Sequence, residues 1–242
     1  MAISRVLITG GTGFVGWWMS ESQPDFEVSY YHSQDYQKLP WDNVTVPWTH
    51  VVHLAPISPA RVLKYAKKHD TRVLFASSGA VYGGLPNYAD YAYDKRNWEL
   101  MCAHSGVDVV IARLFAFVGA HLPNKYAITN FIENAKAGKP LEVWGDGSSV
   151  RTYLYGEDLG RWMWKLLLEG NGVYDVGGSM KHTILNVARM VASVIPAKIH
   201  VLNDGAPASY YVPFDLDRAH NLGCRETIGL KDAIERTVNE SK

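Results

Sequence analysis

The sequence predicts an α/β protein built on a doubly wound parallel sheet, and three observations support that prediction. Short apolar runs alternate with amphipathic segments of ten or more residues, the pattern of strands joined by helical crossovers. The first apolar run leads into a glycine-rich turn that can open a helix. The later part of the chain has shorter apolar runs, which indicates a small, more irregular C-terminal region beside the main sheet.

Length, composition and charge exclude several classes of protein. The 242 residues suffice for one large domain, or for one domain with a small appendage, and the 47% hydrophobic content allows a sizeable core. Lysine plus arginine equals aspartate plus glutamate at 24 each, so no net field favours nucleic acid or an anionic membrane. We therefore expect a small-molecule substrate as the partner, with no nucleic acid and no membrane.

The cysteines and the apolar runs predict the compartment. Cys102 and Cys224 are the two cysteines, and they lie too far apart to form a metal-binding pair, which predicts a reducing compartment and no metal site. No apolar run reaches the ~18 residues of a membrane span. The first strand begins near residue 3, which leaves no room for a signal peptide ahead of it. The sequence therefore predicts a cytoplasmic protein.

The glycine-rich turn is the stretch around which the chain is organised. Gly10, Gly13 and Gly16 fall three apart between the first strand and a predicted helix at 14–22. Glycine can adopt a positive φ and lets the backbone approach a ligand closely. The free N–H groups and the positive dipole end of the helix suit a pyrophosphate. An ordinary strand-turn-helix corner is the alternative, but the position of the turn favours dinucleotide binding. The cofactor residues predicted in the turn are Gly10, Thr12, Gly13, Phe14, Val15 and Gly16.

The remaining elements follow from apolar periodicity and helix boundaries. Strands are predicted at 26–31, 50–55, 72–76, 107–113, 173–176 and 198–201, with further extended segments at 141–144 and 151–155. Helices are predicted at 58–69, 90–105, 127–137, 157–169, 183–194 and 229–239. Ser58 is expected to cap the second helix with Pro59 at its first position, and Gly138 to end the fourth. The tryptophans of the helix at 157–169, Trp162 and Trp164, are expected in the core or an interface.

The end of the second strand bears on the choice of cofactor. In dinucleotide-binding folds an acidic residue at this position holds the adenosine ribose hydroxyls. Here the position falls at His32 and Ser33, and the first acidic residue is Asp35. A basic or hydroxyl-bearing strand end suits a 2′-phosphate, which favours NADP. Asp35 could also turn towards the ribose, so both NAD and NADP stay open.

Tyr91 and Lys95 place a phenol and an ammonium one turn apart on one face of a helix. We expect the ammonium to lower the tyrosine pKa from its usual ~10. A tyrosine tuned in this way can act as a general base towards an alcohol or a general acid towards a carbonyl. Ser78, at the end of the preceding strand, can hydrogen-bond the same oxygen. In the context of the glycine turn, the three residues predict an active site rather than an exposed helix pair.

Five stretches in this order resemble a known family. They are Thr9-Gly10-Gly11-Thr12-Gly13-Phe14-Val15-Gly16, Val52-His53-Leu54-Ala55, Ser77-Ser78-Gly79-Ala80-Val81-Tyr82-Gly83, Tyr91-x-x-x-Lys95-x-x-x-Glu99, and Trp144-Gly145-Asp146-Gly147-Ser148 leading to Arg151-x-Tyr153-x-Tyr155-x-x-Asp158-Leu159. The chain is similar to the extended short-chain dehydrogenase/reductases of the NAD-dependent epimerase/dehydratase family, which modify nucleotide sugars. The resemblance implies a Rossmann fold with a dinucleotide-binding core at 1–115 plus part of 151–180. The substrate-binding region would then comprise 116–150 and 180–242.

The resemblance also implies roles for individual residues and a partner. Ser78 and Tyr91 match the catalytic hydroxyl and the acid/base, and Lys95 matches the residue that binds the nicotinamide ribose. The other cofactor-binding residues implied are His32, Ser33, Leu54, Ala55, Pro56, Ser77 and Phe117. The substrate-binding residues implied are Ser78, Val81, Tyr82 and Arg151. Arg151 would reach the substrate diphosphate, unless it is a surface arginine on a hairpin. A homodimer through helices flanking the site is also expected.

Several positions depart from the family pattern. In the 4,6-dehydratases Asp-Glu follows the catalytic Ser/Thr, whereas Gly79 and Ala80 follow Ser78 here, which disfavours water elimination. Ala116 stands where the family carries an asparagine that touches substrate phosphates, and no arginine precedes Tyr211 closely. The stretch at 34–48 is also shorter than in the family.

Three functions stay open from the sequence. The first is a nucleotide-sugar epimerase that oxidises its substrate transiently to a keto-sugar and then returns the hydride. The second is an NADPH-dependent keto-sugar reductase that uses the same residues. The third is a catalytically silent dinucleotide-binding regulator, which the thinned substrate contacts favour and the intact Ser78, Tyr91 and Lys95 disfavour.

Overall fold

The structure is a computed structural model that describes residues 5–31, 46–83, 85 and 88–240. The strands are β1 (Arg5–Thr9), β2 (Glu27–Tyr31), β3 (His50–His53), β4 (Arg72–Ser78), β5 (Val109–Leu114), β6 (Ala116–Val118), β7 (Leu141–Val143), β8 (Val150–Tyr155), β9 (Gly172–Val176), β10 (Lys181–Thr183), β11 (Ile199–Val201) and β12 (Tyr210–Tyr211). The helices are α1 (Phe14–Glu21), α2 (Ala60–His69), α3 (Ala89–Ala103), α4 (Ala127–Lys136), α5 (Gly156–Glu169), α6 (Ile184–Val194), α7 (Asp217–Asn221) and α8 (Leu230–Glu240). A 3₁₀ turn (Gly79–Tyr82) follows β4.

The main sheet has six strands in the order β2-β1-β3-β4-β5-β9, and every neighbouring pair is parallel. The chain runs outward from β1 in both directions, so the strand order reverses between β1 and β3. Crevices outside the carboxyl ends of strands at such a reversal are where open α/β sheets bind ligands. The prediction of a doubly wound α/β sheet is therefore confirmed, and the glycine-rich turn leaves the sheet at the reversal.

Helices cover both faces of this sheet. On one face α5 packs against α1 and the strands, and it buries Trp162 and Trp164 completely among apolar side chains. Their indole N–H groups donate to the carbonyls of Arg225 and Met19, so each ring is buried with its polar atom satisfied. The expectation that these tryptophans belong to the core is confirmed. On the other face α2 and α3 bury Leu63 and other apolar side chains against the strands.

A second group of strands lies beside the carboxyl edge of the main sheet. In it β8 pairs in parallel with β6 and β12 and antiparallel with β10, while β7 and β11 form a separate parallel pair. Helices α4, α6 and α8 pack against this group around a core that includes Ile128, Phe131 and Val187. The sequence did not predict β6, β10 or β12, which have only two or three residues each.

Several boundaries differ from the prediction by one or more residues, and one of them positions the site. Helix α2 begins at Ala60, with Pro59 as its N-cap and the Ser58 hydroxyl accepting from the Ala60 N–H at 3.4 Å. Strand β4 runs two residues further than predicted, because Ser77 and Ser78 continue to pair with β5. This extension carries Ser78 to the edge of the sheet, beside the strand reversal. Gly138 follows α4 with φ +66°, which confirms it as the residue that ends the helix.

Candidate active site

A cleft of about 1070 Å³ opens at the carboxyl ends of the main sheet. One end is lined by the glycine-rich turn and by the residues that follow β3. The middle is lined by the ends of β4 and β5 and by the start of α3, and the other end by β7, β8, β12 and α4. A single cleft therefore connects the predicted cofactor turn with the second group of strands.

Two of the three glycines of the turn are required by its own packing. Gly10 has φ +72°, and a Cβ there would lie 2.7 Å from the backbone nitrogen of Ala55. A Cβ on Gly16 would lie 2.2 Å from the carbonyl oxygen of Gly11. The turn is thus pressed against the end of β3 on one side and against itself on the other. The packing alternative considered from the sequence accounts for these two glycines.

Gly13 differs, because it faces the cleft and packs against little. It is the N-cap of α1, its φ of −83° suits any residue, and no side chain of the described residues caps the helix. The first N–H groups of α1 therefore point at the cleft beside Phe14 and Val15, without a side-chain acceptor. An anion at this place would accept from them and meet the positive end of the helix. The residues present fit the pyrophosphate of a dinucleotide cofactor.

His53 ties the two turns at this end of the cleft together. Its Nδ1 lies 2.7 Å from the Thr9 hydroxyl, and its Nε2 lies 3.0 Å from the Ile57 carbonyl. Burial lowers the pKa of His53 to about 4, so its ring is neutral near pH 7. A neutral ring has one N–H, which must be on Nε2 because a carbonyl only accepts; Nδ1 then accepts from Thr9. His53 belongs to one of the five stretches that resemble the family, but its sequence position gave no sign of this role.

Ser78, Tyr91 and Lys95 line the middle of the cleft together. The Ser78 hydroxyl accepts from the Ala80 N–H at 3.2 Å and is close enough to the Tyr91 phenol to affect its pKa. Lys95 is buried, and its Nζ donates to the Ala76 carbonyl at 2.7 Å. Their predicted spatial clustering is therefore present, with Ser78 contributed by β4 and the other two by α3.

The expected pKa of Tyr91 was wrong in direction. Burial raises the pKa of Tyr91 above its usual value, the neighbouring Ser78 hydroxyl opposes the rise, and Tyr126 and Tyr88 add to it. Lys95 does not lower the pKa, because its ammonium turns to the Ala76 carbonyl and lies 5.8 Å from the centre of the Tyr91 ring. Burial also lowers the pKa of Lys95 itself to about 8. In this state the phenol of Tyr91 is held in its protonated form.

A charged network supports the ends of β4 and β5 from behind the cleft. Glu99 accepts from Ser77 at 2.5 Å and from two nitrogens of Arg113 at 3.0 and 2.6 Å. Arg113 also donates to the Tyr82 hydroxyl at 2.7 Å, and Tyr82 donates to Asp175 at 3.0 Å. Asp175 in turn accepts the backbone N–H groups of residues 214 and 215. The network therefore links the strand that carries Ser78 to the C-terminal segment.

We expect Glu99→Ala to destabilise the fold by about 3 kcal/mol, near the lower end of the range for breaking a buried ion pair. The pair is largely shielded from solvent, with the side chains of Glu99 and Arg113 11% and 21% exposed. Removing Glu99 would therefore leave the Arg113 guanidinium buried without its carboxylate partner. Urea denaturation measures the change. Glu169→Ala is the matched control, because its pair with Lys165 is on the surface and should contribute less than about 1 kcal/mol. Equal losses in the two variants would contradict the buried role of Glu99.

Arg151 lies at the far end of the cleft on β8, the central strand of the second group, and not on a hairpin tip. Its guanidinium donates to the Ser209 carbonyl at 3.1 Å and to the Ser209 hydroxyl at 2.7 Å. Among the residues that the structure describes, no carboxylate forms a salt bridge with it. A half-buried cation held by neutral groups favours an anionic ligand.

The other residues predicted for the site divide into three groups. Those that also line the cleft are Leu54, Pro56, Ser77 and Phe117. Those that lie outside its lining are Thr12, Gly16, Ala55, Val81 and Tyr82. His32 and Ser33 lie outside the described residues, as does most of the stretch at 34–48. Val81 is buried and the Tyr82 hydroxyl is held in the charged network, so these two support the wall of the cleft from behind.

Some residues of the cleft were not identified from the sequence. Tyr211 on β12 places its hydroxyl 3.2 Å from Ser78 Oγ. The exposed ring of Trp144 and the side chains of Asn130 and Glu142 line the far end. The sequence contains no signal for these positions, because a two-residue strand and a loop are brought to Ser78 only by the tertiary fold. In the described ranges, no group of three His, Cys, Asp or Glu side chains is placed to hold a metal ion. The described helices are too short or too polar to cross a membrane.

Comparisons with known proteins agree with this geometry. The sequence model of the NAD dependent epimerase/dehydratase family matches residues 49–177, more than half of the chain. UDP-glucuronic acid decarboxylase 1 of Danio rerio is 27% identical, over 81% of this chain and 62% of that protein. Its namesake from Xenopus tropicalis is 25% identical, over 97% of this chain and 71% of that protein. The chain thus spans less than two thirds of the zebrafish relative.

Solved structures share the fold over nearly the whole chain. A UDP-glucose 4-epimerase from Thermus thermophilus, crystallised with NAD, superposes with a TM-score of 0.80 at 20% identity, over 97% of this chain and 98% of that one. A dTDP-glucose 4,6-dehydratase from Streptomyces venezuelae, also crystallised with NAD, gives 0.82 at 20% identity, over 97% and 96%. At these identities the solved structures show only that the fold is shared, whereas the matched sequence model shows membership of the family. The chain belongs to the NAD dependent epimerase/dehydratase family.

Proposed function

We propose that the protein is an NAD(P)-dependent nucleotide-sugar epimerase that oxidises a sugar hydroxyl transiently to a ketone and then reduces it from the other face. The observation that carries the proposal is the cluster of Ser78, Tyr91 and Lys95 in the middle of the cleft. On one side of the cluster lies the uncapped start of α1, and on the other lies the guanidinium of Arg151. A nucleotide sugar would then lie with its diphosphate towards Arg151 and its sugar against Ser78 and Tyr91.

Each residue of the cluster has a distinct task in this proposal. The nicotinamide, when bound, supplies the hydride acceptor and donor. Tyr91, once ionised, takes the proton of the reacting sugar hydroxyl and later returns it. Ser78 hydrogen-bonds the same oxygen and orients it, and Lys95 holds the nicotinamide ribose next to Tyr91. The backbone N–H groups after Gly13 bind the pyrophosphate.

The packing around Gly79 argues against a dehydratase. Elimination of water needs an acid and a base placed after the catalytic serine, where Gly79 and Ala80 stand here. A Cβ on Gly79 would lie 2.3 Å from the ring of Phe115, and Ala80 is buried. The aromatic ring thus fills the space that an acidic side chain at position 79 would need. Oxidation and reduction need no group at this place.

A decarboxylase of nucleotide uronic acids is the second candidate. Relatives that bear this name align over most of the chain. Oxidation of a uronic acid at the hydroxyl next to the carboxyl-bearing carbon gives a β-keto acid, and such an acid loses carbon dioxide without a further acid or base from the protein. The residues at 79 and 80 are therefore as compatible with decarboxylation as with epimerisation. The keto-sugar reductase and the silent regulator remain as alternatives that the same experiment separates.

Cofactor preference, compartment and assembly belong to the same proposal. Both NAD and NADP suit the turn, and His32 and Ser33 favour NADP by their chemistry alone. The division into a dinucleotide-binding core and a substrate-binding region stays a prediction. Both cysteines are free and buried, in keeping with a reducing cytoplasm. Helix α3 exposes Tyr93, Leu100 and Met101 along one side, which supports a homodimer through this helix.

The first test is to denature freshly purified protein, identify any released dinucleotide by mass spectrometry, and incubate native protein with UDP-glucose, UDP-galactose or UDP-glucuronic acid. We expect retained NAD and interconversion of the two hexoses by NMR, since an epimerase regenerates its cofactor in each cycle. Release of carbon dioxide from UDP-glucuronic acid would replace the epimerase with the decarboxylase. A protein that is purified empty and consumes NADPH in the presence of a keto-sugar would be the reductase. Dinucleotide binding without any turnover would favour the regulator.

A further inference from the structure

Three hydroxyl groups converge in the middle of the cleft, and the proposed function uses only two of them. The third belongs to Tyr211, which β12 places against Ser78 with 3.2 Å between Tyr211 Oη and Ser78 Oγ. The Tyr211 ring is buried, packs on Phe115 at 4.9 Å between centroids, and lies 5.9 Å from the Arg151 guanidinium carbon. A buried hydroxyl held at this distance from a catalytic serine influences where the serine can direct its proton.

The direction of the protons follows from the number of donors. The Tyr211 hydroxyl donates to the carbonyl oxygen of Leu114 at 3.0 Å, because a carbonyl can only accept. A hydroxyl has one proton, so the hydrogen between Tyr211 and Ser78 comes from Ser78. Ser78 Oγ accepts the Ala80 N–H with one of its two lone pairs. Ser78 can therefore only accept a hydrogen bond from Tyr91, through its other lone pair.

We propose that Tyr211 is a positioning residue that holds the proton of Ser78 away from Tyr91 and thereby keeps the Tyr91 phenol protonated in the free protein. If Tyr91 ionises, its oxygen becomes a strong acceptor and needs the Ser78 proton. Ser78 can turn to Tyr91 only by leaving Tyr211, or by taking the Tyr211 proton away from Leu114. One hydrogen bond of the chain is lost in either case, and this loss opposes the phenolate.

The arrangement also selects between forms of the substrate, a consequence that rests on the proposed function. With its proton committed to Tyr211, Ser78 offers an acceptor to the ligand, which suits the O–H of an alcohol. A ketone has no proton to offer and could bind Ser78 only after the contact with Tyr211 breaks. Ser78 in the free protein is therefore set to accept from a sugar hydroxyl, and Tyr91 must release its own proton before it can take that of the substrate.

The charged and titratable groups around the two tyrosines come from several elements. Those that face Tyr91 or Tyr211 are Lys95 of α3, Tyr88 and Tyr126 from the segments before α3 and α4, and Arg151 of β8. Burial raises the pKa of Tyr211 to about 12, so it keeps its proton throughout the range in which Tyr91 would act. None of these groups is altered when only the Tyr211 hydroxyl is removed.

The test places 3-fluorotyrosine at position 91 of the full chain and follows its ¹⁹F signal against pH, without cofactor or substrate. The fluorinated phenol is more acidic than tyrosine, which brings its titration into a milder pH range. We expect Tyr211→Phe to lower the pKa of this group by about one unit, the order of one neutral hydrogen bond. The phenyl ring keeps the packing on Phe115. Tyr210→Phe, which removes the hydroxyl of the adjacent exposed tyrosine, should leave the pKa unchanged.

A second set of variants, made in protein that carries Ser78→Ala, distinguishes a pKa change transmitted through Ser78 from one caused by water entering the space of the lost hydroxyl. In protein that already carries Ser78→Ala, Tyr211→Phe should no longer shift the pKa at position 91. An equal fall in both backgrounds would overturn the proposal, because it would mean that water, and not the Ser78 proton, responds to Tyr211. An unchanged or raised pKa in the single Tyr211→Phe variant would also overturn it. These outcomes do not depend on which nucleotide sugar the protein uses, so the proposed function can fail separately.

Discussion

Tyr91→Phe should lower the turnover number by about 10²–10⁴-fold while leaving dinucleotide affinity within about a factor of two or three, because it removes only an exchangeable proton. The Tyr91 ring lies near Lys95 and against Tyr88, and a phenylalanine keeps both contacts. The loss should therefore appear in the chemical step and not in folding or cofactor binding. The hydroxyl is the part of the residue that the proposed reaction needs.

The measurement uses the nucleotide sugar that the wild type converts, with turnover followed by NMR and dinucleotide affinity by calorimetry. Tyr93→Phe is the matched control, since Tyr93 lies on the same helix but points to solvent outside the cleft. It should retain wild-type turnover. If Tyr91→Phe turned over at the wild-type rate, the proton would have to come from another group, and the role given to Tyr91 would be wrong.

The sequence predicted the main sheet and the glycine-rich turn that follows its first strand, because both depend on local patterns. The alternation of apolar runs with helical periods specifies a parallel sheet, and the glycine spacing specifies the turn. Ser78, Tyr91 and Lys95 were brought together as expected, since the end of β4 and the start of α3 are neighbours in such a fold. The positions of these residues follow from strand order alone.

The far end of the cleft was not predictable in the same way. β12 has two residues, and its place beside β8 depends on pairing with a strand about sixty positions earlier in the chain. No local period marks such a strand, so the sequence pointed to Tyr211 only as the residue before which the family's arginine is missing. The prediction of a lowered Tyr91 pKa failed for a related reason. The spacing placed Lys95 on the correct face of the helix, but its ammonium turns to the Ala76 carbonyl on another element.

Gly13→Val and Gly16→Val should affect different properties, although the two glycines belong to one motif: the first should weaken dinucleotide binding, and the second should destabilise the fold. For Gly13→Val we expect dinucleotide affinity to fall by about a hundredfold or more, or ~3 kcal/mol, with little change in stability. The φ of −83° at Gly13 is open to valine, and among the described residues an added Cβ would contact only the Gly10 carbonyl oxygen, at 3.3 Å. The new side chain would instead stand where the pyrophosphate approaches the start of α1.

Gly16→Val should reduce the free energy of unfolding by about 3 kcal/mol, at the upper end of what overpacking costs. A Cβ at this position would lie 2.2 Å from the Gly11 carbonyl oxygen, so the turn or the helix must move apart. Urea denaturation and calorimetric titration with NAD and NADP, applied to both variants, give the two quantities side by side. If Gly13→Val bound dinucleotide like the wild type, the cofactor would not approach the helix at this turn. If instead Gly13→Val lost stability as much as Gly16→Val, all three glycines would serve packing alone. The turn would then be an ordinary strand-turn-helix corner, and Gly13 would no longer support a cofactor site.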